Sequence, residues 1–307
     1  MPRPPQPSGA SHPAALFDRA LLDRRRLRAL GRAGGDDAPL FLLQAVAREL
    51  AERLSLVERR FERAAEIGGH TGEAARLVMA GGQVGTMLRV ERDAAFLGDA
   101  PDGIVGDEEA LPLPEDSVDL VLSPLSLHLT NDTPGTVIQA RRALKPDGLF
   151  LAAALGGETL HELRTSLLEA EAELLGGASP RVAPFIDVRD AGALLQRAGL
   201  ALPVADQDRI TVRYASMFDL CLDLRRMGMA NMLAERRRSF TPRGLFLRAA
   251  EIYAERFAGA DGRVRATFDV VYMSGWKPHP SQQQPLRPGS AKASLAEALR
   301  DRSGKDD

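Results

Sequence analysis

Two spacings alternate along the chain. Between residues 38 and 56, Leu42, Leu43, Val46, Ala47, Leu50 and Leu54 recur every three or four positions, which predicts an amphipathic helix. The short run Ala64-Ala65-Glu66-Ile67 then ends in Gly68-Gly69 and predicts a strand entering a tight turn. Thr71 to Ala80 predicts a helix stopped by Gly81-Gly82. Val84 to Val90 predicts a second strand, and Gly103 to Gly106 a weaker third. Val118 to Leu122 is mostly apolar on both faces, as a central parallel strand requires. A helix from about Pro134 to Leu144 is predicted to stop at Lys145-Pro146-Asp147-Gly148, before a fifth strand from Leu149 to Leu155.

The second half predicts helices over residues 158–175 and 190–198, the latter begun by Asp187 or Asp190. Ile210 to Tyr214 and Thr267 to Trp276 predict two late strands. Two or three helices lie between them over residues 216–258, with Thr241 as a cap and Pro242 in the first turn. Strands alternating with helices predict right-handed βαβ crossovers, hence a doubly wound, mostly parallel, seven-stranded α/β sheet. A helical cap at about residues 215–260 is expected over the sheet's carboxyl edge. Residues 1–35 read as a disordered, basic lead, and Asp36-Asp37 with Pro39 as a helix start opening a single domain over 36–276. A partly ordered tail is expected over 277–307.

Composition narrows the class. The chain has 307 residues, 44% hydrophobic and 27% charged, with a formal net charge of −2. That balance argues against bulk attraction to nucleic acid. No apolar run approaches the ~18 residues of a spanning helix. A single cysteine, Cys221, suits a reducing compartment. Arg24, Arg25, Arg26 and Arg28 read as a solvated basic helix, or more sharply as a docking surface for an acidic partner. Asp18 and Asp23 argue against an organelle transit peptide, so a bacterial cytoplasmic setting is expected, with any contact to the inner membrane made through a partner.

The chemistry concentrates around Glu66-Ile-Gly68-Gly69-His70-Thr-Gly72. A strand ending in an acid, a glycine turn and a helix start make a ligand cradle at the sheet's carboxyl edge. The dinucleotide fingerprint G-x-G-x-x-G, counted from Gly68, meets His70 and Glu73 where it needs glycine. S-adenosylmethionine (SAM) has no pyrophosphate but carries an ammonium and a sulfonium, charges that Glu66 suits. Glu91 ends the second strand about twenty residues further on, where such folds place an acid for ribose hydroxyls; Asp93 is the alternative if the strand ends later. Asp107 or Glu108, after the third strand, can accept from the exocyclic amine of adenine. Ser123, Leu127 and His128 follow the fourth strand and are expected beside the methionine and its methyl group, with His128 as the candidate catalytic residue. Asn131 and Asp132 are expected to cap the next helix, Trp276 to be a core aromatic, and Gly157, Glu158 and Arg164 to lie near the substrate mouth. None of His12, His70, His128, His161 or His279 starts an H-x-D or H-x-E pair, so no local iron signature is present and no metal site is expected.

The order Glu66-x-Gly68, Glu91, Gly106-Asp107-Glu108, Asp119-Leu-Val-Leu-Ser123, Leu127-His128 and Leu144-Lys-Pro-Asp-Gly148 resembles class I SAM-dependent methyltransferases over roughly residues 40–155. A narrower resemblance rests on Phe17-Asp-Arg19, Ser123 to His128 with Asn131-Asp132, and Gly156-Gly-Glu-Thr-Leu-His-Glu-Leu-Arg164. Ser179-Pro180, Pro184-Phe185, Met273-x-Gly275-Trp276 and Gly289-Ser290-Ala291 extend it. These motifs are similar to those of the methyltransferase-fold assembly factors of respiratory complex I. The resemblance implies a Rossmann-like fold, SAM as cofactor and a complex I subunit as protein substrate, with hydroxylation of a subunit arginine as the alternative to methyl transfer. A non-catalytic assembly chaperone is a further alternative, and carboxyl methylation of an acyl-carrier thioester another. His70 departs from the family pattern, where glycine is common.

Overall fold

The computed structural model describes residues 15–32 and 40–282, with the Arg32 side chain set aside. The start of the lead, the Asp36-Asp37-Pro39 signal, Gly289-Ser290-Ala291 and most of the tail lie outside these residues. The chain runs through α1 (Arg19–Arg32), α2 (Phe41–Ser55), β1 (Phe61–Ile67), α3 (Glu73–Ala80), β2 (Val84–Glu91) and β3 (Gly103–Val105). It continues through β4 (Val118–Pro124), α4 (Thr133–Ala143), β5 (Leu144–Leu155), α5 (His161–Leu175) and α6 (Val188–Arg197). It ends with β6 (Ala201–Tyr214), α7 (Met217–Arg226), α8 (Arg243–Phe257) and β7 (Val264–Trp276).

The seven strands form one sheet in the order β3-β2-β1-β4-β5-β7-β6. All pairs are parallel except β5 with β7 and β6 with β7. Strand order reverses between β1 and β4, so a crevice opens beyond their carboxyl ends. Period-two alternation sends neighbouring residues to opposite cores: Leu120 and Leu122 pack with α2, α3, α5 and α8, whereas Val121 packs with α4 and α6. The six apolar positions predicted for α2 are all buried. Asp187 caps α6 and Asp132 caps α4, each accepting a backbone N–H of the first turn.

Several elements differ from their sequence expectation. β6 begins nine residues before Ile210, at Ala201. Its Asp206, Gln207 and Asp208 are too polar to read as strand, but β6 is the edge strand and its ladder with β7 holds them extended. Lys145 to Gly148, read as a stop, lies within β5 as a bulge with Asp147 in the left-handed region. Pro242 itself is the N-cap of α8, and Thr241 gives no capping bond. The arginine-rich helix α1 is solvated on one face only: Arg24 and Arg28 are exposed, whereas Leu22 and Ala29 are buried and the Arg19 side chain is only 10% exposed.

The stretch from Gly156 to Arg164 locks β5 and α5 onto β7. Thr159 Oγ1 donates to the Asp269 carbonyl and accepts from the Asp269 N–H, while the Glu158 N–H donates to the Asp269 carboxylate. Glu162, fully buried, accepts from Thr267 N–H at 3.1 Å and Thr267 Oγ1 at 2.6 Å. Glu162→Ala strands both Thr267 donors away from water. Guanidinium denaturation is expected to show a loss of about 2–4 kcal/mol, and a loss below half a kcal/mol would refute this account of the lock.

Candidate functional site

The turn after β1 is built on a buried ion pair. Arg89 Nε donates to Glu66 Oε2 at 2.7 Å, and the Ala75 N–H at the start of α3 donates to Glu66 Oε1 at 2.8 Å. Arg89 also donates to the carbonyls of His70, Phe96 and Leu97. Glu66 is therefore committed to holding the turn, its carboxyl pushed up by burial against the pull of Arg89 and the Ala75 amide. The glycines follow from this crowding. A Cβ on Gly69 would lie 2.0 Å from Glu66 Cδ, and one on Gly72, at φ +77°, would lie 2.6 Å from Arg89 Cζ. A Cβ on Gly68, at φ +61°, would lie 2.6 Å from Ser126 Cβ.

His70 and Leu125 both adopt left-handed backbone at the rim of the crevice, φ +59° and +54°. Strained non-glycine residues of this kind gather at functional sites. Both ring nitrogens of His70 are buried without a partner among the described residues, and the ring lies 4.8 Å from that of Phe96. Burial, with Arg26 and Arg89 nearby, lowers its pKa to about 3, so the imidazole is neutral.

At the end of β2, Glu91 is 3% exposed, and its nearest cationic partner is Arg89 Nη2 at 3.4 Å. Burial pushes its carboxyl up to about 8, with Arg26 opposing and Glu66 adding to the shift. Asp93 instead caps a single turn by accepting from Ala95 N–H, so Glu91 is the acid at the strand end that keeps no such backbone bond. Beyond β3, Asp107, Glu108 and Glu109 all pair with Arg19 of α1, at 2.7, 2.8 and 2.8 Å. Arg92 bridges Asp107 and Asp23, tying α1 down a second time. Burial works to raise the Asp107 carboxyl, but the Glu109 amide, Arg19 and Arg92 outweigh it and hold it below its ordinary value. The other flank of α1 is joined to residues 231–236 through Asp18–Arg236 and a bridge between Phe17 and Leu233. Asn131 does not cap a helix; its side chain bonds both the N–H and the carbonyl of Phe17.

Beyond β4, the Ser123 hydroxyl is bonded to Ser126 at 2.9 Å, and Leu127 is buried in the core beneath. His128 is the junction of the region, because it lines three separate cavities. One, about 50 Å³, is bounded by Arg26, His70, Leu125, Leu155 and Met229. A second, about 240 Å³, opens past Thr130, Phe185 and Asp190. A third, about 230 Å³, runs between Leu163, Phe185, Leu224, Met232 and Phe246. The Leu155 N–H donates to His128 Nδ1 at 3.4 Å, leaving the proton on Nε2. Burial lowers its pKa to about 3, so this imidazole is neutral too.

The structure thus gathers Glu66, Gly68, Gly69, His70, Gly72, Glu91, Asp107, Glu108 and His128 along one edge, with Ser123 and Leu127 just below. Trp276 lies at the opposite edge, paired across from Leu149 and Ala201, since β7 runs antiparallel to its neighbour β5. Glu158 and Arg164 form no ion pair; Arg164 bonds the carbonyls of Gly157 and Thr159. Among the described residues, no three His, Cys, Asp or Glu side chains gather as a metal site requires. Sequence reading named Arg19 and Arg26 without assigning them to the site, and passed over Arg89 and Arg92. Arg89 carried a signal, a lone charge inside the strand Met87-Leu88-Arg89-Val90.

Comparison with known proteins fits this geometry. Residues 65–152 match a family described as a methyltransferase domain. The mitochondrial arginine-hydroxylase NDUFAF5 of Rattus norvegicus is 38% identical over 305 residues, covering 96% of this chain and 87% of that protein. The malonyl-[acyl-carrier protein] O-methyltransferase of Halorhodospira halophila is 33% identical, covering 84% of this chain and 90% of that one. Among solved structures, a Bacillus halodurans protein shares the fold with a TM-score of 0.53 at 15% identity, covering 76% of this chain and 100% of that one.

The raised carboxyl of Glu91 makes a stability prediction with a definite sign. In the unfolded chain the group titrates near 4.5, in the folded protein near 8. Between these values the folded state holds the extra proton, so stability falls as pH rises from 4.5 to 8. Glu91→Gln removes that loss. Its melting temperature in the absence of ligand is expected to exceed the wild type's at pH 8, with the gap shrinking toward pH 5. A gap independent of pH would refute the assignment.

Proposed function

The chain belongs to the methyltransferase-fold family that includes the arginine-hydroxylase NDUFAF5 and the malonyl-[acyl-carrier protein] O-methyltransferases, and on that premise we propose that it binds SAM and transfers its methyl group to an acceptor. The observation that carries the reading is Glu91: a buried acid at the end of β2 whose one cationic contact, Arg89 Nη2, is long at 3.4 Å, beside the glycine turn that bonds to Val90 through the Gly68 N–H. Two vicinal ribose hydroxyls donating to Glu91 replace the water lost on folding and favour the ionised form that burial alone disfavours. SAM supplies an electrophilic methyl on a sulfonium.

The residues of the chain do the rest. Gly68, Gly69 and Gly72 let backbone amides approach the methionine half, and Glu66 acts through Arg89 and α3 to keep that turn in place. His70 offers unpartnered ring nitrogens beside the same half. Asp107 and Glu108 stand where the adenine amine is read. Ser123 and Leu127 form the floor. His128, neutral and therefore compatible with a neighbouring sulfonium, donates from Nε2 to orient the acceptor. The three cavities that meet at this ring keep the acceptor away from bulk water while the methyl moves.

A second reading, arginine hydroxylation of a complex I subunit in the course of its assembly, is favoured by the 96% coverage of this chain by a protein named for that activity. The mass added to a modified subunit, a methyl group or an oxygen, separates the two. No described helix is long and apolar enough to cross a membrane.

Calorimetric titration with SAM tests the site itself. Wild-type protein is expected to bind, and Glu91→Ala to bind about tenfold to a hundredfold more weakly, the worth of hydrogen bonds to a charged acceptor. A folded wild-type protein that gives no binding heat with SAM would overturn the proposal.

A further inference from the structure

Helix α1 turns one stripe toward the protein, spaced three or four residues apart: Leu22 and Ala29 are buried, and Arg19 and Arg26 half-buried beside them. Arg19 satisfies its charge on three carboxylates. Arg26 does not. It makes no hydrogen bond or ion pair with any other described residue, although its neighbours Arg19, Arg25 and Arg92 all do. It is nevertheless held firmly, for Gly228 packs so closely that an added Cβ would lie 3.1 Å from both Cα and Cγ of Arg26.

Its surroundings define what it can bind. Arg26 lines the small cavity that also contains His70, Leu125 and His128. Glu91, Glu108 and Asp23 are the carboxylates whose charge reaches it, none close enough to pair. The polar side chains that share the cavity are two neutral imidazoles; the others are Leu, Pro and Met. A half-buried guanidinium without a partner gives up part of its hydration for nothing in return. An anionic ligand recovers that cost, and a carboxylate matches the guanidinium fork.

A carboxylate could come from the methionine half of SAM or from an acceptor. Arg26 shares a cavity with His70 and is near enough to Glu91 for their charges to act on each other, so it neighbours both the turn over which the methionine half would lie and the proposed ribose acceptor. We propose that Arg26 binds the carboxylate of SAM, so that α1 is completed as a wall of the site by the cofactor itself. This rests on the SAM reading above.

The test uses the full chain, calorimetry and two ligands, SAM and decarboxylated SAM, which lacks only the carboxylate. Wild type is expected to prefer SAM. Arg26→Met is expected to weaken SAM binding about tenfold to a hundredfold and to leave decarboxylated SAM within about twofold, abolishing the preference. Arg26→Lys keeps the charge without the fork and is expected to retain part of it. Without ligand, Arg26→Met is expected to melt no lower than wild type, because it removes an unpaired charge. Equal losses for both ligands, or a preference unchanged by Arg26→Met, overturn the inference and leave SAM binding intact. Should Arg26→Met fail to fold, equal wild-type affinity for the two ligands overturns it as well. Wild-type protein that binds neither ligand overturns the SAM reading, and this inference with it.

Discussion

The pair formed by Glu66 and Arg89 is the constraint on which the site depends. It lies almost entirely out of water, at 0% and 9% side-chain exposure. Through it β1, β2, the start of α3 and the turn at His70 become one unit, since each contributes a group to the same network. Removing one partner from such a buried pair leaves a stranded charge, at a cost of about 3–5 kcal/mol. The pair also dictates composition above it. Gly69 and Gly72 are glycine because the carboxylate and the guanidinium fill the space a side chain would need. A glycine turn that reads as a ligand cradle is therefore first a consequence of what is packed beneath it.

On this rigid base the chain places groups that are poorly satisfied in the unliganded fold. Glu91 is an acid in a site that disfavours its charge. His70 keeps two bare ring nitrogens and a left-handed backbone. Arg26 brings a cation to the same crevice without a partner among the described residues. Well-packed proteins avoid such groups because each lowers stability. Their collection at one sheet edge, while the core on either face is apolar, marks the edge as the place where stability has been exchanged for binding.

Helix α1 links that edge to the rest of the molecule. Its acids and arginines reach the loop after β3 on one side and residues 231–236 on the other, so the wall of the site is an electrostatic assembly rather than an apolar one. The apolar side of the crevice comes from Leu125, Leu155 and Met229, with His128 at the point where the three cavities meet. The three cavities reach the same neutral imidazole from different sides.

The sequence by itself determined the parallel core and the location of the crevice. Val118 to Leu122 and Leu149 to Leu155 are too apolar to lie anywhere but between two layers, and the alternation of strands with helices leaves little freedom in their order. The glycine turn, Glu91 and the acids after β3 were legible for the same reason, since their positions at strand ends follow from local pattern. The tertiary structure decided what pattern does not carry. It made Glu66 a support of the turn, gave Asn131 to Phe17 instead of a helix, held polar β6 extended along β7, and turned Arg19 of α1 onto the acids after β3. Each of these depends on a partner 23 or more residues away, as with Arg89 and Glu66, or 114 away, as with Asn131 and Phe17. Periodicity reports only which face a residue shares with its near neighbours; which charge meets which is fixed when distant segments pack.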